Sequence, residues 1–540
     1  MYTGNIDKQR QSLAERIAKR IKDYDTMDLL KSFIEYSFVA QDDQKIPISD
    51  MLMGLCIKNN INNSKYEYDF LAYSKFIKNA KELLFSYAAE SLEKAIKAKN
   101  DDLEKKIECE IENFTKLKYI YMRGDGYAEQ IVRFGNTLFS NLNVEMKEVY
   151  GFTYSDVEKL FIFVFKQYYK EIDLIEDARF ARIEKHNNII ADINPEELYL
   201  KYYINVLKEG VFEIHKEKLY KVIGKDIVDR ILEKLGAKAG EINPNYFLPI
   251  DFNELYAKPI LQIEDKIVIP LIISSIQNLP KLFHYDFVMS KLLISDKGKD
   301  KGIKEKYKKE RGNHIEKLTC EYLKRIFAEK SVFMSLKYGR QFEFEADITV
   351  QFEDLIIVFE CKSKLLVLNS LKGNLESIKS DFKDAIQNAY NQACRTEQHI
   401  VEGYIFKDKV GNELKLAKPN KVLKVCIVAE NFGYLSTDLT YLLEVQEKGD
   451  YPIVINIYDL DIITKEAKTP AILIEYFNKR VEQNGKVHCV DELEFFESIL
   501  GKNELDLERE NTQYALTGYT QEIDAKYYER DKEFFLKYRI

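Results

Sequence analysis

The sequence predicts a multidomain chain: a mainly α-helical N-terminal region, then an α/β core with a central mixed β-sheet flanked by helices. Three observations predict it. The chain has 540 residues, enough for two to four domains, and its apolar fraction of 46% can fill sizeable cores. Residues 1–240 repeat apolar side chains at helical spacing. From residue 300 to 475, short apolar runs of strand length alternate with helical segments.

In the N-terminal half, Glu15–Tyr36, Asp69–Lys97, Asp102–Ile120 and Asp156–Ile183 read as helices. Leu92–Phe114 is rich in Lys and Glu, the composition of a long exposed helix. Gly124-Asp125-Gly126 interrupts the pattern as a turn, and Asn243-Pro244-Asn245 marks a boundary. Ile260–Ile263 and Lys266–Ile269, around Glu264-Asp265, read as a β-hairpin. The expected domains are 1–242 (helical, for sensing, binding or oligomerisation), 243–300 (hairpin and connection), 301–475 (α/β core) and 476–540 (helical extension). No chemistry is legible in the first of these.

Lys297–Arg311 is a basic run with glycines and interspersed acids. It reads as a solvated linker, with phosphate contact as a secondary role. A helix follows from Gly312, carrying Ile315, Leu318, Tyr322, Leu323 and Ile326 on one face, with Glu316 near its start.

The segment from Glu345 to Lys362 is the most informative. Val350 and Phe352, then Leu355–Phe359, read as two short buried strands turning at Glu353-Asp354. Asp347 and Glu360 are then equidistant from the turn and oppose each other, with Cβ atoms about 5 Å apart. Lys362 projects on the face of Glu360. Opposed carboxylates repel. A divalent cation reverses that, and Mg²⁺ typically takes one or two carboxylates plus substrate phosphate. A neighbouring lysine can stabilise developing charge or orient water. The competing reading is a charged surface hairpin, which the strongly apolar run before Glu360 argues against.

Downstream, Asp384–Ala393 reads as a helix with Ala385, Ala389, Gln392 and Ala393 on one face. Lys421–Ala429 and Pro452–Tyr458 read as further buried strands. The tail from Asp491 reads as helices, its last residues docking on the core or pairing subunits.

Over roughly residues 300–430 the chain resembles the PD-(D/E)xK nuclease superfamily, the restriction-endonuclease-like fold. The matching residues are Asp347, Glu360 and Lys362, with Ala346 in place of the loosely kept proline. The resemblance implies a Mg²⁺-dependent phosphodiester hydrolase, with Mn²⁺ as an alternative ion. Its metal ligands would be Asp347 and Glu360, with Lys362 as the catalytic cation. It also implies a further acidic ligand from the preceding helix, where Glu316 fits, although a first-turn Glu also suits the helix dipole. Some such families carry a glutamine on the following helix. Gln387 and Tyr390 are one residue too close for the QxxxY form, so Gln392 is the better match. Glu345 either joins the metal shell or faces solvent, and Lys364 either meets phosphate or ends the strand in water. The implied substrate is DNA, the implied setting bacterial defence against phage, and a homo-oligomer or an activating partner stays open. A non-catalytic protein that kept the fold is the competing class, and an interaction protein working through its helical half is a third.

The remaining features exclude rather than assign. The formal net charge of −8 means that any nucleic-acid contact uses a local basic surface. Seven cysteines without a CxxC pair and six histidines without HExxH argue against a zinc or disulfide framework. Cys361, Cys394 and Cys426 read as small core residues. There is no GxxxxGK[ST] loop and no GxSxG elbow, and with no membrane-length apolar run and no apolar signal core a reducing cytoplasm is the expected setting.

Overall fold

The computed structural model describes residues 3–40, 44–61, 65–66, 70–97, 103–121, 124–187, 211–289, 299–447, 449–489, 491–500, 514–516 and 520–538. They form two compact units, one of residues 1–97, 120–300 and 530–540, the other of 98–119 and 301–529.

The first unit is mainly helical. The expected helix over 15–36 is two, Thr3–Ile21 and Thr26–Val39. Asp25 breaks it, because its carboxylate accepts the Met27 and Asp28 N–H groups at 2.8 and 3.2 Å and so starts a new helix. Phe70–Lys97 and Tyr154–Asn187 match the expected helices closely. The junction at 98–102 in the expected long helix lies outside the described residues. The hairpin Ile260–Ile263 with Lys266–Val268 sits in a small four-stranded sheet of this unit, alongside Ile214–His215 and Gly236–Ala237. Residues 243–300 therefore extend the helical unit instead of forming a separate segment. The chain end returns to this unit: Asp531 accepts the Ala128 and Glu129 N–H groups at 2.9 and 2.8 Å, capping the helix Ala128–Ser140.

The second unit holds a seven-stranded mixed sheet flanked by helices. Its elements in chain order are α1 (Leu103–Tyr121), α2 (Lys299–Leu323), β1 (Val332–Tyr338), β2 (Phe344–Phe352), β3 (Leu355–Lys362), α3 (Leu375–Phe382) and α4 (Asn388–Val401). Then come β4 (Phe406–Lys407), β5 (Glu413–Leu414), β6 (Lys421–Val428), β7 (Ile453–Asn456), α5 (Ile457–Glu466) and α6 (Pro470–Glu482). The strand order is β7-β6-β3-β2-β1-β4-β5. β3, β6 and β7 run parallel, and the remaining neighbours pair antiparallel.

β3 is central and buried on both faces, as its unbroken apolar run requires. Ile357, Val358 and Phe359 are fully buried, each stabilising the fold by about 1.5–3 kcal/mol. On one face Ile356 and Val358 pack with Ala393 and Ile400 of α4. Beside them Cys426 and Val454 pack with Phe382, Ala389 and Ile111 of α1. That contact explains why residues 98–119 belong to this unit rather than to an N-terminal domain. On the other face the Phe359 and Phe477 rings lie 6.2 Å apart, and the Cys361 thiol meets Thr319 of α2 at 3.6 Å.

The basic run is not a linker, because α2 starts at Lys299 and continues through Gly312 to Leu323. Closely spaced Lys and Glu in this segment support a helix even with a glycine in its interior. Glu316 is therefore deep inside the helix, and the helix dipole no longer accounts for it.

Candidate active site

Asp347 sits where the sheet is irregular. Pairing of β1 with β2 skips from Met334↔Ile348 to Leu336↔Ala346, leaving Ser335 and Asp347 unpaired. Ser335 takes a left-handed backbone, with φ of 56°. On the other side, pairing of β2 with β3 follows the register expected from the Glu353-Asp354 turn but ends at Ile348↔Phe359. Asp347 and Glu360 thus fall opposite each other in sequence, yet they are not a ladder pair. The Cys361 N–H donates instead to Asp347 Oδ2 at 2.7 Å. Strained backbone of this kind is enriched beside functional sites.

Glu360 has no exposed surface, and neither carboxylate oxygen meets a hydrogen-bond donor among the described residues. Burial holds its carboxyl well above the ordinary range, and the charge of Asp347 raises it further. Lys362 and Arg395 oppose that rise. Asp347 is also raised, first by burial, while the Cys361 N–H and Lys362 pull it down. With one proton between them the two carboxyls attract, and with none they repel.

Lys362 follows Glu360 on the α4 face, where its ammonium hydrogen-bonds the Gln392 side-chain oxygen. Gln387, the other candidate, is occupied elsewhere: its amide bonds both ways to the Glu444 backbone, at 3.0 and 2.9 Å. Glu316 comes from α2. Burial pushes it up to about 7, and the charges of Asp347 and Glu345 add to that. Lys409 and Lys362 lower it, so all five groups share one field. Glu345 itself is exposed. Lys364 is only partly exposed. It pairs with buried Asp381 at 2.9 Å, and Asp381 also accepts Val367 N–H at 2.8 Å and Ser370 Oγ at 2.7 Å. It anchors the chain leaving β3.

Two cations were not singled out in the sequence. Arg395 lies three residues after Gln392, one turn along α4, so its spacing could have found it. Lys409 is in the β4–β5 turn, where only the fold brings it near Glu316.

Asp347 and Glu360 suit a hard divalent cation, since two donor-free oxygens of a buried carboxylate are what such an ion satisfies. Glu316 does not complete a cluster: among the described residues, no group of three or more His, Cys, Asp and Glu is arranged to hold a metal ion. All seven cysteines are free thiols, and burial raises those of Cys361, Cys394 and Cys426. Among the described residues, no helix is long and apolar enough to cross a membrane. Compared with protein-family models, curated proteins and solved structures, the chain matches none.

Proposed function

We propose that the α/β unit is a Mg²⁺-dependent nuclease, an endonuclease hydrolysing phosphodiester bonds of DNA. The observation that carries this reading is Glu360, a fully buried carboxylate with no donor on either oxygen, set beside Asp347 and followed by Lys362. In water-excluded surroundings such a pair needs a proton or a cation. Asp347 and Glu360 would hold the metal, which when bound would polarise a phosphoryl oxygen and activate water. Lys362, oriented by Gln392, would position the attacking water and offset charge developing on the phosphate. Arg395 tempers the field at Glu360 from the same helix. Glu316 adds negative charge near the pair. A restriction-endonuclease-like core and a role in bacterial defence against phage rest on the motif resemblance alone.

The test incubates full-length protein with plasmid, linear duplex, single-stranded DNA and RNA, in Mg²⁺, Mn²⁺ or EDTA. Cleavage that needs metal and disappears in Asp347→Ala and Lys362→Ala supports the reading. Equal cleavage by the wild type and both variants rejects it.

One observation favours a second reading. Both carboxyls are held above their ordinary range, which fits a non-catalytic nucleic-acid-binding or regulatory protein in which Asp347 and Glu360 share a proton. Salt-sensitive binding without cleavage in any metal would identify it.

A further inference from the structure

β1, β2 and β4 carry an unusual row of side chains beside the carboxylates. Lys337 is directly opposed to Lys407 on one side and to Glu345 on the other. Directly opposed residues share a face, so the two ammonium groups are neighbours, and like charges so placed are destabilising. Lys337 is exposed and has no ion-pair partner among the described residues. Lys407 meets Glu413 only at 3.7 Å. Glu345 is two residues from Asp347, about 6.7 Å along a strand.

Next to this row, the β1–β2 turn presents an aromatic ring. Phe342 has φ of 57°, left-handed for a bulky residue, at a cost of about 1–3 kcal/mol. Its half-buried ring lies under the Lys407 ammonium, 4.0 Å from ammonium to centroid. Arg340 is exposed in the same turn. Neighbouring lysines on one strand face, one exposed and one held only loosely by Glu413, beside an aromatic ring in a strained turn, are the parts of a single-strand binding track.

We infer that the exposed β4–β1–β2 surface binds single-stranded DNA, with phosphates on Lys407 and Lys337 and a base stacked on Phe342. The strand then runs past Glu345 toward Asp347. The choice of nucleic acid as partner rests on the proposed nuclease function. The surface names the form of substrate, an unpaired strand, since a duplex hides the faces of its bases.

The experiment reads binding without cleavage, so its failure is distinct from failure of the nuclease reading. Full-length protein in EDTA is titrated into a fluorescent single-stranded oligonucleotide and into the blunt duplex of the same sequence, from 50 to 300 mM salt. The single strand binds at least about tenfold tighter than the duplex. Lys337→Ala with Lys407→Ala weakens it at least about tenfold and lowers the salt slope by about 1.4, since each single-strand phosphate contact contributes about 0.7. Phe342→Gly separates function from structure: it relieves the backbone and raises the melting temperature, yet costs about tenfold in single-strand affinity. Equal affinity for single strand and duplex would overturn the inference. So would variants that bind like the wild type, in which case the lysines only guard a sheet edge.

Discussion

The Lys362 ammonium is held by the side-chain oxygen of Gln392, thirty residues further along the chain and on a different element. Strand β3 supplies the charge and helix α4 sets its direction. The apolar contacts of Ala393 and Ile400 with Ile356 and Val358 fix how the two elements meet. Packing that stabilises the sheet therefore also aims the lysine.

If Gln392 acts by positioning Lys362, Gln392→Ala should lower kcat by about 10- to 100-fold while KM changes little, the size expected of a small misplacement. Steady-state cleavage of an oligonucleotide checks it. A fall in activity through KM alone would place Gln392 in substrate binding instead.

The raised carboxyls set a pH dependence of stability in the metal-free protein. A carboxyl whose folded pKa lies above its unfolded value binds more protons when folded. Its contribution is neutral below the unfolded pKa, and stability is lost as pH climbs toward the folded pKa. For Glu316 that window runs from 4.5 to about 7, and Glu360 and Asp347 act in the same direction. Thermal melts in EDTA should show Glu360→Gln gaining a few degrees over wild type at pH 8, about 2–4 °C per kcal/mol relieved. The gain should vanish at pH 4.5. A gain of equal size at both pH values would mean the carboxyl is not the cause.

Glu316 shares the field of the pair without completing a ligand cluster. Glu316→Gln should therefore raise the Mg²⁺ concentration for half-maximal cleavage by about tenfold without abolishing it. Complete loss at saturating Mg²⁺ would make it an indispensable ligand.

The anchor beyond β3 is a stability matter. Asp381 joins Lys364, the Val367 N–H and the Ser370 hydroxyl in a buried setting. Asp381→Ala strands a lysine and two donors, and should cost about 3–5 kcal/mol in urea unfolding. A loss below about 1 kcal/mol would show that water replaces the carboxylate.

The sequence made the hairpin register legible because Glu353-Asp354 is the only polar break between two apolar runs, and the observed pairs follow it. The strand expected over Lys421–Ala429 was equally clear, as an apolar run broken only by Lys424, and it forms as Lys421–Val428, while the strand expected over 452–458 stops at Asn456, whose side chain caps α5. β1 was not legible, because the left-handed turn at Ser335 breaks its alternation. β4 and β5 have two residues each and carry no periodicity. The start of α2 was hidden in a charge run that hydropathy cannot distinguish from a linker. At the site, the spacing of Asp347, Glu360 and Lys362 was visible. The irregular backbone that takes Asp347 out of the ladder, and the pairing of Lys364 with Asp381, depend on tertiary contacts that no local pattern encodes.

Asp347 and Glu360 are the proposed divalent-cation site. Titrating full-length protein with Mn²⁺ and following the free ion by electron paramagnetic resonance tests it most directly. The wild type should hold at least one Mn²⁺ that Mg²⁺ displaces, and Asp347→Asn and Glu360→Gln should each lose it while keeping the wild-type fold by circular dichroism. Identical stoichiometry and affinity in the wild type and both variants would contradict the claim.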